Sequence, residues 1–396
     1  MPIYHLSKSF KAFFDSERAG GLVLLGCTIL SMLIANSEWS DAYLHFWHTH
    51  LNASFSFINL DYTIEQWIND GLMTIFFLLV GLEIERELYA GELKELRNAL
   101  LPIAAAMGGM LVPAALHFLF NAGSVTQNGF GIPMATDIAF TLGMLSLLGN
   151  RIPPSLKIFL TALAIIDDLG AILIIAIFYN SGISWLYLGC ALGIFGLLLI
   201  MNRLKFYNLI FYIIPGVVMW YCMMQSGVHA TITGILLAFA IPFSPADNKG
   251  DNGPSHQLQH ALHKPVAFII LPVFAIANTG IPLAANWIQQ LKSNNSIGII
   301  SGLFIGKTIG ILLFSWVLIK MKWGQLPEAV YWKHLFGTAT LAGIGFTMSI
   351  FIANLAFTDT AIIQDSKIAV LAGSLISCIV GLMVLRLSTN HDISQK

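Results

Sequence analysis

Three acids and one base stand inside long apolar runs of this 396-residue chain: Asp137, Asp167, Asp168 and Lys307. A central Asp or Lys costs about 2.5–3.5 kcal/mol on insertion scales, so four standing alone would cost roughly 10–14 kcal/mol. That rivals the folding free energy of an ordinary domain, about 5–15 kcal/mol. They must therefore face one another or a water-filled cavity. Salt bridges that merely hold helices together are the plainer alternative. Buried pairs rarely gain over apolar replacements, however, and three acids to one base leave two acids over. Two protons or a metal cation would neutralise that excess. In an apolar interior a proton and a cation compete closely for the same carboxylate oxygens. Competition combined with alternating access is exchange. Oxygen ligands favour a small hard cation such as Na+ or Li+ over soft transition metals, and the apolar runs hold no paired His or Cys that would argue otherwise.

Adjacent residues on a helix point about 100° apart, so Asp167 and Asp168 cannot share one role. One faces the cavity while the other turns toward a neighbouring helix, where Lys307 is the available base. The backbone near the acids is unusual as well. Asp137 ends the segment Gly131-Ile132-Pro133-Met134-Ala135-Thr136-Asp137, and a second glycine-rich break lies at Gly343-Ile344-Gly345-Phe346-Thr347. Such breaks are tolerated at membrane depth only beside protein or a cavity. Ile138-Ala139-Phe140-Thr141-Leu142 echoes Ile344-Gly345-Phe346-Thr347-Met348. Interrupted helices at matching places in two halves point to a transporter site, and their free ends present partial charges to it.

The elements that must carry these residues are membrane helices. Hydrophobic residues make up 56% of the chain and charged residues 10%, against about 25% charged in soluble proteins; the mean hydropathy is +0.75. A soluble enzyme and a disordered chain are excluded. A net charge of −1 leaves no basic face for nucleic acid. Apolar segments fall near 17–36, 64–88, 99–120, 129–148, 155–179, 184–202, 206–223, 227–242, 261–279, 297–319, 334–357 and 366–388. Twelve spans with an inside N-terminus place seventeen of the twenty Lys and Arg residues on the cytoplasmic side, as the positive-inside rule requires. The expected architecture is thus one all-α polytopic membrane domain over 1–396, with both termini cytoplasmic. The basic N-terminal stretch leads into a retained first helix, with no cleavable signal peptide.

Two loops and the cysteines complete the pattern. In the first outer loop, Asn52-Ala53-Ser54-Phe55-Ser56-Phe57-Ile58-Asn59 alternates with period two, which fits a short strand or hairpin, or an amphipathic loop lying on the membrane. Residues 243–260 hold a Pro-, Gly- and Asn-rich flexible connector. Cys27, Cys190, Cys222 and Cys378 lie far apart in apolar runs and read as small buried hydrophobes.

Four motifs together resemble one family. Ala135-Thr136-Asp137-Ile138-Ala139-Phe140, Ala162-Leu163-Ala164-Ile165-Ile166-Asp167-Asp168-Leu169-Gly170-Ala171-Ile172, Ser226-Gly227-Val228-His229-Ala230-Thr231 and Gly343-Ile344-Gly345-Phe346-Thr347-Met348-Ser349-Ile350-Phe351 are similar to those of the NhaA-type bacterial sodium/proton antiporters. The likeness runs from about residue 10 to 388. It implies twelve helices in the inner membrane, with bundles near 99–179 and 297–388 related as inverted repeats and two interrupted helices crossing at the midplane. This family is itself one of the type cases from which the inverted-repeat rule was drawn, so the two arguments are not independent. The likeness further implies that Asp168 is the main Na+-binding carboxylate, and that Asp167 alternates between cation or proton and Lys307. Asp137 and Thr136 would balance helix ends at the crossing and help bind cation and proton. Electrogenic exchange of Na+ and Li+ for H+, no cofactor, and homodimers formed through a hairpin in the first outer loop also follow from the likeness.

The same resemblance implies pH regulation from the cytoplasmic side. The candidates are Glu83 and Glu87, one helical turn apart, with His260 and His263, whose side-chain type titrates near neutrality. A solvated helix end capped by Arg86 is the plainer reading of the glutamates, and loop histidines are often silent. Gln259 stands where familiar members carry Glu, and Glu85 where they carry a base. His229 opens a span within a family motif, where a hydrogen-bonding or packing role serves as well as a sensing one. Against the antiporter stand a sodium-coupled symporter of an organic anion, an intramembrane aspartyl protease and a membrane prenyltransferase. The symporter needs a base for its substrate's carboxylate, and Lys307 is the only one. The protease needs Tyr-Asp and Gly-x-Gly-Asp settings and the prenyltransferase a DDxxD box, and neither pattern occurs around these acids.

Overall fold

The computed structural model describes residues 8–55, 60–91, 94–180, 182–243, 253–283 and 287–393. These residues are mostly helical. The helices are α1 (Lys8–Ala35), α2 (Ser40–Trp47), α3 (Ile64–Tyr89), α4 (Leu96–Asn121), α5 (Ile138–Ser146), α6 (Pro154–Phe178) and α7 (Trp185–Arg203). They continue with α8 (Ile210–Gln225), α9 (Ile232–Ala240), α10 (Pro254–Asn278), α11 (Asn294–Lys320), α12 (Trp332–Leu341), α13 (Phe346–Ala356) and α14 (Thr360–Ile393). Among the described residues seven helices are long and apolar enough to cross a membrane, or up to nine if each bent pair is one span. One bent pair is α12 with α13, turned by 45° at the break.

Several expected segments are shorter or less regular than a full span. The stretch 129–148 is a 3-10 turn (Gln127–Met134), an extended link and then the nine-residue α5. Pro133 removes a backbone donor and Gly131 weakens helix, so the chain cannot run straight through to Asp137. The segments at 206–223 and 227–242 become the 16-residue α8 and the nine-residue α9.

Two other expectations are corrected. The connector is shorter than 243–260, because α10 already begins at Pro254; Pro at the first helical position has its φ preset and no orphan N–H. Residues 244–252 of that connector lie outside the described residues. Cys222 and Cys378 are buried, but Cys190 is exposed on α7 and Cys27 only partly covered. Leu186 and Trp185 on α7 are exposed too, which makes this an apolar face suited to lipid.

In the first loop a two-stranded antiparallel sheet pairs β1 (His50–Asn52) with β2 (Asp61–Thr63), in register His50↔Thr63. The strands flank the alternating stretch rather than run through it, and residues 56–59 lie outside the described residues. Thr63 then starts α3 with a reciprocal cap: its hydroxyl accepts from Gln66 N at 3.2 Å, and the Gln66 side chain accepts from Thr63 N at 2.9 Å.

The chain divides into two compact units, one formed by residues 1–26, 95–171 and 283–396, the other by 27–94 and 172–282. The first unit holds Asp137, Asp167, Asp168 and Lys307 and the glycine-lined crossing of α4 and α11. Gly298, Gly302, Gly306 and Gly310 recur every four residues along α11. A Cβ on Gly310 would lie 2.0 Å from the Gly108 carbonyl oxygen of α4, and one on Gly306 2.9 Å from Pro113 Cα. Only glycine permits backbones this close. The core of the second unit includes Leu82, Tyr212, Met219 and Ala238, which join α3, α8 and α9.

Candidate functional site

Three local devices deliver Asp137, Asp167, Asp168 and Lys307. Asp137 is the N-cap of α5, in extended conformation, and its own side chain accepts from Phe140 N. Asp167 and Asp168 lie near the middle of the regular helix α6. Lys307 follows immediately after a π-turn (Gly302–Gly306) in α11, a widened turn of a kind common at functional sites. Thr136 stands in the link before α5, and Thr347 in the first turn of α13.

The structure brings these residues together. Thr136, Asp167 and Lys307 are 0% exposed, Asp168 1% and Asp137 2%, so none is solvated and each depends on its neighbours. Lys307 Nζ pairs with Asp167 Oδ2 at 3.0 Å and also donates to the Met134 carbonyl. The Thr136 hydroxyl donates to the same Asp167 oxygen at 2.7 Å and lies 3.0 Å from the Ala342 carbonyl, in the break between α12 and α13. Asp168 interacts electrostatically with Lys307 as well.

Asp137 is engaged differently. Its Oδ1 accepts from Phe140 N at 2.9 Å, and its Oδ2 accepts from Thr347 N at 3.0 Å and Thr347 Oγ1 at 2.6 Å. One carboxylate therefore caps the N-terminal turns of both α5 and α13, each the positive end of a helix dipole. The backbone reinforces the crossing, since Asp137 N donates to the Ile344 carbonyl at 2.7 Å and Ser349 Oγ to the Ile132 carbonyl at 2.6 Å.

Two features of this unit are not anticipated by the sequence reasoning above. The glycine ladder of α11 had a signal, the spacing of four. The other is a buried polar chain: His117 of α4 contacts Asn295 Oδ1 at 3.2 Å, and Asn295 Nδ2 donates to Ser366 Oγ at 2.8 Å. It ties α4, α11 and α14 together. A lone His inside an apolar helix was its only trace.

The candidate pH sensors lie in the second unit. Glu83 is buried and hydrogen-bonds Gln259, Glu85 is buried and accepts from Ser255 Oγ at 2.9 Å, and Arg86 donates to Glu87 at 3.0 Å. Burial of Glu83 excludes a simple solvated helix end. His263 is partly covered and feels Arg86, whereas His260 is exposed. Both departures, Gln259 and Glu85, are thus built into the joint of α3 with α10. His229, in the motif before α9, contacts the carbonyl of Tyr179.

With these acids paired, capped and buried, comparison with known proteins is decisive. Residues 11–385 match the family described as Na+/H+ antiporter 1. The chain belongs to this Na+/H+ antiporter family. It is 57% identical over 384 residues to a protein named Na(+)/H(+) antiporter NhaA from Flavobacterium psychrophilum, covering 97% of each chain. It is 56% identical to Na(+)/H(+) antiporter NhaA 1 of Flavobacterium johnsoniae, covering 98% of this chain and 99% of that one. A Dechloromonas aromatica protein named Na(+)/H(+) antiporter NhaA is 54% identical, covering 98% of both. The protein is a multi-pass membrane antiporter exchanging Na+ and H+, a transporter by family and not an enzyme.

Proposed function

We propose that Asp168 is the principal cation-binding carboxylate, with Asp167 as its exchangeable partner. The observation that carries this reading is the engagement of Asp167: Lys307 and Thr136 both hold its Oδ2, and the adjacent Asp168, equally buried on α6, interacts electrostatically with the same Lys307. In the cation-free state Lys307 neutralises Asp167. A Na+ or Li+ ion arriving at Asp168 draws Asp167 away from Lys307, and protons reverse the step by neutralising the same oxygens. Alternating access of the loaded site then moves more protons inward than sodium outward, which makes the exchange electrogenic. Asp137 maintains the crossing that presents the site. In this reading the chain has twelve spans in a bacterial inner membrane, two inverted repeats, cytoplasmic termini, and a homodimer contact at the β1–β2 hairpin. The Glu83, Gln259, Glu85, Ser255 and His263 joint adjusts activity to cytoplasmic pH.

A symporter of organic anions fits less well, because the buried base is already held by Asp167 and by the Met134 carbonyl. The test is Asp168→Asn in everted vesicles. Na+-induced collapse of ΔpH is abolished if Asp168 holds the cation; retained exchange refutes the assignment.

A further inference from the structure

In the first unit α4 and α11 run antiparallel and meet along glycines. Gly298 of α11 faces His117 and Asn121, Gly302 and Gly306 face Pro113, and Gly310 faces Gly108. The four glycines lie four residues apart. A slide of α11 by one such step, about 6 Å, would set Gly302 over His117, where Gly298 now lies. Between membrane helices apolar contacts distinguish such registers weakly, because lipid is as apolar as the packing it replaces. Lys307 would move by the same step, about twice its 3.0 Å distance from Asp167.

The buried chain of His117, Asn295 and Ser366 breaks that degeneracy. Ser366 Oγ donates to the Ile362 carbonyl at 2.7 Å and so accepts from Asn295 Nδ2 at 2.8 Å. The Asn295 amide is thereby oriented with its Oδ1 toward His117 at 3.2 Å, and His117 Nε2 is the donor. His117 and Ser366 are 0% exposed and Asn295 5%, so water does not replace a lost partner cheaply. After the slide Ile299 would stand where Asn295 stands, with nothing to accept the imidazole N–H. The Asn121 amide adds bonds to the His117 and Asn294 carbonyls at 2.9 and 3.2 Å. Main-chain acceptors recur at every residue, however, and choose no register.

We propose that His117 and Asn295 are positioning residues for the exchange reaction: they key α11 to α4 and so return Lys307 to Asp167 after each turnover. Fixing register is the best-attested use of a buried polar group among apolar ones. The ion pair cannot do this alone, since in the exchange proposed above it opens whenever a cation arrives. Their part in turnover rests on that reading; the key itself rests on the geometry of α4 and α11.

Spin labels at the exposed Leu119 of α4 and Leu313 of α11, in full-length protein whose four cysteines are replaced, report the slide by pulsed EPR. In a background without the ion pair, Lys307→Ala/Asp167→Asn, the label distance should match wild type. Adding Asn295→Leu or His117→Phe should bring in a population displaced by about 6 Å. Adding His117→Gln, which keeps a donor in place of Nε2, should not. An unchanged distance with Asn295→Leu on that background would overturn the key. With the pair intact, saturating Na+ should displace Asn295→Leu and leave wild type unmoved. No displacement by Na+, with the first result standing, would overturn the role in turnover and spare the key. Should Asn295→Leu fail to fold, Asn295→Ala is read the same way.

Discussion

Replacing Asp137 tests whether one carboxylate holds two helix ends. In Asp137→Asn the amide oxygen can remain on Phe140 N, because Asn is as good an N-cap as Asp. The amide nitrogen then faces Thr347. The Thr347 hydroxyl can rotate to accept from it, but Thr347 N–H is left facing another donor. An unsatisfied buried donor costs about 1–3 kcal/mol, and loss of the anion at a buried helix end up to about 2 kcal/mol more. We therefore expect a loss of about 2–4 kcal/mol for Asn. Asp137→Ala also frees Phe140 N–H and removes the N-cap, which adds about 1–2 kcal/mol. The assay is thermal inactivation of the purified protein in detergent, with residual fold read by fluorescence-detected gel filtration. Inactivation midpoints should fall in the order wild type, Asn, Ala, with Thr347→Val above Asn because it keeps the Thr347 N–H bond. Asn and Ala variants as stable as wild type, or equal to one another, would refute the double-cap reasoning.

Three other perturbations address separate parts of the molecule. Lys307→Ala leaves Asp167 buried without its counter-ion and should destabilise by about 3–5 kcal/mol; adding Asp167→Asn should recover much of that loss in the same thermal assay, and no recovery would break the pairing. Gly310→Leu forces a side chain against the Gly108 carbonyl, an overpacking that costs about 1–3 kcal/mol or more, and should lower both the inactivation temperature and the exchange rate. Gln259→Glu sets a second acid beside Glu83. Like charges hold protons more tightly, so the activity profile in proteoliposomes should move toward alkaline pH if deprotonation at this joint activates; an unchanged profile places the sensor elsewhere.

The two acids of α6 show how far the sequence reaches. That Asp167 and Asp168 diverge followed from helix geometry alone, but which of them meets Lys307 did not. That choice depends on where packing places Lys307, whose helix α11 approaches α4 closely at Gly306 and Gly310. At the joint of α3 with α10, Gln259 and Glu85 looked like isolated departures from a familiar pattern. In the fold they are two of the buried contacts between α3 and α10. Alternation near 52–59 fitted a short strand or hairpin or an amphipathic loop, yet the two-stranded pairing begins at His50 and resumes at Asp61, because register follows cross-strand partners that a local pattern cannot show.

By itself the sequence determined the class of molecule and singled out four charges standing in apolar runs. The reason is energetic: charge is so costly in an apolar chain that every exception is informative. Only the tertiary structure decided the partners. It gave Lys307 to Asp167, made Asp137 the cap of two helices, and packed α11 against α4 along glycines. Those outcomes depend on contacts between residues as many as 210 positions apart, where direction and distance are fixed by packing and local sequence carries no record of them.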